Sequence, residues 1–362
     1  MKRKSCLVIG YMRNNFGDDL FFKILFERYP HVDFYMYPPI EFLKKYKRAY
    51  RKYSNVKFYD KEKYFIREKM ANIGKERLIN LFPMICERAK KVDFYINIGG
   101  SIFIQHDNWK KDDRFILKEI LGNKPSFIIG CNFGPGSIEY EKYLAKWFEK
   151  FDDICFRDVD SYNRFKSLKN VRLSDDIVLT IHNNNKQKKK KIVAVSIMDL
   201  DNRKELKEMK KQYFKFLKNK IKKLLEKNYK IKLFSFCKDE GDEKAIKELL
   251  KLFNLKERRK IKVIKYSSNI NRFLYHWQKC SLVIGSRFHS IVLAMASNQK
   301  FFALSYSKKI ENFISSYDQN IKVINIKDLK KNKKINLQFY EINKEYNAEK
   351  QFMKIDKYLK IK

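Results

Sequence analysis

Arg287 and His289 stand two residues apart in VIGSRFHSIVLAMAS, residues 283–297, between two apolar runs. Gly285 and Ser286 break the first run, and the second has the composition of a buried helix. A helix N-terminus offers unpaired N–H groups and the positive end of a dipole. Arg287 adds a planar fork suited to carboxylate or phosphate. His289 can give or take a proton near neutral pH. Ser286, Arg287, His289 and Ser290 therefore form a candidate socket for a small dianionic or trianionic ligand. The alternative is a satisfied buried histidine beside a surface arginine. Tyr306, Ser307, Lys308 and Lys309 end the next apolar run and add cations to the same rim.

Four earlier junctions also end apolar runs, three of them in glycine turns. In IGYMRNNFGDDLFF, Asn14, Asn15, Gly17 and Asp18 follow the first run. Gly17 permits close backbone approach. Asp18 suits either a helix cap or a base that takes a proton from an acceptor hydroxyl. Gly99, Gly100 and Ser101 end another run, with Gln105 and His106 beyond. Paired glycines let a ligand or a second backbone come near, and His106 reads as a loop residue or a catalyst. Asn132, Gly134, Pro135 and Gly136 make a turn; Arg157, Asp158 and Ser161 end the next run, where an Arg–Asp pair is structural or ligand-binding. Asn15, Gly17, Gly99, Gly100, Ser101, His106, Asn132, Arg157 and Asp158 are thus the expected acceptor side. No His/Asp cluster has metal spacing, so no metal is expected. No G-x-G-x-x-G or P-loop occurs, so no dinucleotide is implied.

These junctions need strands that end where helices begin. Short β-branched and aromatic runs alternate with helical stretches throughout, with little strict alternation inside the runs. That predicts parallel sheets covered on both faces. The polar stretch IHNNNKQKKKKI (181–192) is the best linker; a basic anion site is the sharper alternative. The expected organisation is a Rossmann-like domain at 1–181, a linker at 182–191, a second Rossmann-like domain at 192–345 and a C-terminal helix at 346–362. The fold class is α/β, with the two domains facing across a cleft and ligands at the carboxyl ends of strands.

With 44% apolar residues the chain has ample material for two cores. The net charge of +39 is spread along it and has no nucleic-acid motif beside it. It reads as a general lysine bias that also permits peripheral contact with an anionic inner membrane; nucleic acid is not an expected partner. Six cysteines without a C-x-x-C pair suggest buried thiols in a reducing compartment. The short first apolar run reads as a strand, and no run reaches the ~20 residues of a spanning helix. A cytoplasmic protein, peripheral at most to the membrane, is expected.

In their order, six elements resemble the polysaccharide pyruvyl transferase family: N-x-G-D at Asn15–Asp18, Gly99–Gly100–Ser101, Gly134–Pro135, R-D-x-x-S at Arg157–Ser161, S-R-x-H-S at Ser286–Ser290 and Y-S-x-K at Tyr306–Lys309. The resemblance implies a GT-B-like fold. It also implies transfer of pyruvate, as a ketal, from phosphoenolpyruvate to a sugar of a cell-surface glycan or a lipid-linked oligosaccharide. No tightly bound cofactor is implied. Ser286, Arg287, His289, Ser290, Tyr306 and Lys308 would hold the donor, with His289 as acid and Asp18 as base. Similar proteins carry Ser-x-Arg after the first strand of the second domain; here SIMDLDNR places Met198 and Asp199 there, and Arg203 is the cation left to reach back. The departure keeps open a GT-B-type glycosyltransferase with a nucleotide-sugar donor. A third reading is a basic protein that only docks on membranes or acidic glycans.

Overall fold

The computed structural model describes residues 3–60, 62, 81–184, 188–201, 203, 205–330 and 335–361. It divides into two compact units. The first comprises residues 1–13, 18–177 and 347–362; the second comprises 14–17 and 178–346.

Each unit is built on a parallel sheet. The first sheet runs, edge to edge, β3 (Val56–Phe58), β2 (Val32–Met36), β1 (Lys4–Ile9), β4 (Phe94–Ile98), β5 (Ser126–Cys131), β6 (Asp153–Phe156) and β7 (Val171–Leu173). The second runs β10 (Ile261–Lys265), β9 (Lys230–Ser235), β8 (Lys190–Ser196), β11 (Cys280–Gly285), β12 (Lys300–Ser305) and β13 (Ile324–Asn325). In both, the order reverses beside the first strand of the unit, as in doubly wound α/β sheets. β4, β5 and β6 are buried at every position, which is why they read as nearly continuous apolar runs.

The helices follow their patterns. Ile40–Ala49 buries Phe42, Leu43 and Tyr46 on one stripe. Helix Phe288–Ala296 is apolar nearly all round and buries every residue except His289. Two strands carry no sequence signal, β7 and β13, of three and two residues at sheet edges.

The expected linker differs from the structure at both ends. A 3-10 helix runs through Ile177–Asn184, residues 185–187 lie outside the described part, and β8 already begins at Lys190. The C-terminal segment is not a separate element. A 3-10 turn, Ala348–Phe352, leads into helix Met353–Leu359, and both belong to the first unit. Gln351 accepts from the Gly130 amide at 2.8 Å and donates to the Asp175 carbonyl at 2.9 Å. Asp356 accepts from Arg28 and from the Tyr29 hydroxyl. All six cysteines are free thiols. Among the described residues, no helix is long and apolar enough to cross a membrane.

Candidate functional site

In the second unit, β11 ends at Gly285 and Arg287 is the residue that enters helix Phe288–Ala296, with extended backbone (φ −96°, ψ 140°). Ser196, at the end of neighbouring β8, clamps the turn. Its hydroxyl accepts from the Ser286 amide at 2.8 Å and the Arg287 amide at 3.2 Å, and donates to the Ser290 hydroxyl at 2.8 Å. Ser290 donates to the Arg287 carbonyl. The Tyr213 hydroxyl donates to Ser286 at 2.8 Å, and burial pushes the Tyr213 phenol up to about 12. Ser286 and Ser290 are fully buried. This corrects their expected part in donor binding: both hydroxyls and two turn amides are spent inside the unit, holding the turn in shape.

The Arg287 guanidinium is buried and faces two carboxylates. One Nη bonds Glu240 and the other Asp242, while its buried Nε has no hydrogen-bond partner among the described residues. Asp242 is sealed, with 0% of its side chain exposed, and also accepts from the amides of Phe236 and Cys237 at 2.9 and 3.0 Å. Burial pushes its carboxyl up, against the pull of Arg287 and those amides. Glu240 is different: 32% of its side chain is exposed. Burial raises its carboxyl, but Arg287, Arg203 and Asn15 outweigh that and hold it below the usual range. Glu240 and Asp242 are not among the residues the sequence motifs single out, although the acidic turn CKDEGDE between β9 and a helix is a visible signal.

Residues 14–17 belong to this unit and bring Asn15 and Gly17 to the site. The Asn15 side chain accepts from the Gly17 amide at 3.0 Å and donates to Glu240 at 3.0 Å. Asn15, not Asp18, therefore sits at the capping position of helix Phe16–Arg28. Its place as an acceptor ligand is corrected to an internal tie. Phe16 packs within an aromatic cluster of Phe236, Tyr266 and Phe273. The imidazole of His289 lies on Gly17: a Cβ there would fall 2.0 Å from Nδ1. Only glycine leaves room for the ring.

Arg203 does reach back. Its guanidinium stacks 4.4 Å over the Tyr306 ring and acts on Glu240. Asp199 cannot replace a cation; it is buried, accepts from the Asp201 amide at 3.1 Å and faces Lys244 at 3.6 Å. Lys308 is exposed at the start of helix Lys308–Tyr317.

The first unit gathers Gly100, Ser101, Asn132 and Arg157 where β4, β5 and β6 end. Arg157 donates to Asp176 at 2.6 Å and to Asn132 at 3.0 Å. A Cβ on Gly100 would fall 2.4 Å from its Nη2. Ser101 donates to Asn132 at 3.3 Å. The partner of Arg157 is thus Asp176, not Asp158. Asp158 is corrected to a helix cap: it accepts from the Ser161 amide at 2.9 Å and from its hydroxyl, while that hydroxyl accepts from the Phe133 amide at 2.8 Å. Gly99 is buried and bonds the Ile129 carbonyl. His106 stands apart, 53% exposed and 3.6 Å from Asp112. Asp18 is buried in the first helical turn. A cavity of about 580 Å³ in the same unit is lined by Ile9, Arg13, Ile40, Phe82, Arg114 and Leu117 among others.

A family model described as polysaccharide pyruvyl transferase matches residues 15–308, well over half of the chain. The chain belongs to the polysaccharide pyruvyl transferase family. It is therefore a transferase enzyme, and the family implies a phosphoenolpyruvate-type donor and a glycan or lipid-linked acceptor. No curated protein sequence matches it. Among solved structures, UDP-GlcNAc 2-epimerase from Methanocaldococcus jannaschii is similar, with a TM-score of 0.56 at 11% identity over 98% of this chain and 99% of that one. A putative UDP-N-acetylglucosamine 2-epimerase from Listeria monocytogenes gives 0.55 at 11% identity, over 100% and 98%. The likeness is one of GT-B-like fold. In the S-R-x-H-S motif Ser286, Arg287 and Ser290 are buried and His289 is half-buried, and in R-D-x-x-S Arg157 and Ser161 are buried and Asp158 is half-buried.

Proposed function

We propose that this enzyme transfers the pyruvyl group of phosphoenolpyruvate to a sugar of a cell-surface polysaccharide or its lipid-linked precursor, as a pyruvate ketal. The observation that carries the reading is the setting of His289. It is the one residue of a buried helix left unburied, two positions from a buried arginine and against the Cα of Gly17. An acid beside a cation suits a donor with a vinyl carbon, a carboxylate and a phosphate.

In the proposed reaction His289 protonates the vinyl CH₂, and an acceptor hydroxyl oxygen bonds the neighbouring carbon. A second hydroxyl then bonds the same carbon as its C–O bond to phosphate breaks. One hydroxyl proton ends on the new methyl group and the other on the released phosphate. Asp18, next in the chain to Gly17, is the proposed base. Arg287, Arg203 and Lys308 are the proposed anion partners, with Tyr306 holding Arg203. Because Arg287 is already paired, the donor takes the place of Glu240, the more exposed of its two carboxylates. On the acceptor side, the exposed Ser101 and the first unit's cavity are the proposed sugar contacts, with Arg157 and Asn132 bracing the strand ends from inside; the cavity's volume is within the ~300–1,000 Å³ of small-molecule sites. Six free thiols suit a reducing compartment, so the cytoplasm is the proposed location.

The test is phosphate release from phosphoenolpyruvate in the presence of a glycan acceptor. His289→Ala should lower turnover by ~10²–10⁴-fold, the usual worth of an acid–base group. Turnover within about threefold of wild type would overturn the assignment.

A further inference from the structure

The second sheet has another charged edge. Its strands are parallel, so β8, β9, β10 and β11 all begin at the edge away from Arg287, which follows the end of β11. Lys190 pairs in register with Cys280, and Lys232 with Lys262. Lys232 donates to the His276 carbonyl at 3.0 Å, and the Lys279 ammonium lies 3.6 Å over the Tyr275 ring. Among the described residues, none of Lys190, Lys232, Lys262, Arg272 and Lys279 has a carboxylate within 4.0 Å. Burial and, after it, the cations Lys232, Lys262, Arg272 and Lys279 depress the His276 imidazole.

The same edge exposes apolar side chains. Leu255, which opens the short helix Leu255–Arg259 before β10, is 76% exposed; Tyr275, near the end of helix Ile270–Gln278, is 46% exposed, and Leu252 is 39% exposed. Lysines near helix C-termini are common because the dipole favours them. That explains Lys279, just past helix Ile270–Gln278, but not Lys190 or Lys262. Interleaved lysines and exposed leucine and tyrosine fit an anionic interface into which apolar tips can sink. A nucleic acid would leave Leu255 unused.

We propose that the strand-start edge of the second sheet docks on a bilayer rich in anionic lipid headgroups. The inference stands independently of the donor assignment. The experiment is co-sedimentation of the full chain with phosphatidylglycerol/phosphatidylcholine vesicles and with pure phosphatidylcholine vesicles. The wild type should bind the anionic vesicles and be released by salt. The triple variant Lys190→Glu, Lys262→Glu, Lys279→Glu should bind at least about 100-fold more weakly, and the single Lys262→Glu about fivefold. Leu255→Ser with Tyr275→Ser should cost about tenfold. A control with the same charge change at the exposed first-unit residues Lys44, Lys47 and Lys142 should stay within about threefold of wild type. Equal losses in the control would reduce the effect to bulk charge and overturn the proposal. So would equal binding to both vesicle types, or capture by an RNA oligonucleotide without vesicle binding.

Discussion

Arg157 and Arg287 hold the same kind of place in different units. Each follows a strand, each is buried, and each is ion-paired, Arg157 with one carboxylate and Arg287 with two. Arg157 meets Asp176 with 1% and 0% of the side chains exposed, and Asn132 takes its second Nη. Arg287 meets one sealed carboxylate, Asp242, and one with 32% exposure, Glu240. The first arrangement is closed: both members of the Arg157–Asp176 pair are sealed from solvent. The second has a partner that can be exchanged. A buried arginine is thus a strut where its anions are locked and an anion seat where one of them can leave.

The comparison breaks most sharply at His289 and Arg157. His289→Ala should abolish most turnover, by the ~10²–10⁴-fold given above, with thermal stability close to wild type. Arg157→Ala should do the reverse, since removing one partner leaves Asp176 charged and buried. About 3–5 kcal/mol of unfolding free energy should be lost, read by urea denaturation. If Arg157→Ala kept its stability and lost only activity, the strut reading would fail.

Gly17→Ala should follow. The added methyl would collide with the His289 ring, so the imidazole must move, and kcat should fall with little change in donor affinity. A shift in affinity alone, measured by steady-state kinetics, would argue that Gly17 acts elsewhere.

The smallest expected effect is on acid stability. Glu240 has a folded-state carboxyl held below its unfolded value. Such a group adds stability above the unfolded pKa and loses it as pH falls through the folded one. Wild-type stability should therefore decline below pH ~4.5 with a steeper slope than that of Glu240→Gln. Parallel acid-denaturation curves would show that the Glu240–Arg287 pair adds nothing to folding.

The interior strands were legible because both faces are buried and the runs are nearly continuous in apolar residues. β7 and β13 were not, since two or three half-covered edge residues leave no period. The glycine turns were legible as close approaches, and Gly17 and Gly100 do admit His289 and Arg157. What each arginine binds was not legible. Glu240 and Asp242 lie 47 and 45 residues from Arg287 in sequence, and Asp176 lies 19 from Arg157. No local pattern links them. Ser286 and Ser290 misled for the same reason. Hydroxyls at a helix start look free for a ligand, and only the fold brings Ser196 over them.

The most direct test of an exchangeable anion seat is calorimetric titration with phosphoenolpyruvate, beside UDP-GlcNAc, on the wild type, Arg287→Ala and Glu240→Gln. The account predicts saturable phosphoenolpyruvate binding to the wild type and none to Arg287→Ala. Affinity in Glu240→Gln should be about tenfold tighter, because the donor no longer displaces a charged partner. Phosphoenolpyruvate binding indifferent to both substitutions, or binding of UDP-GlcNAc alone, would contradict it.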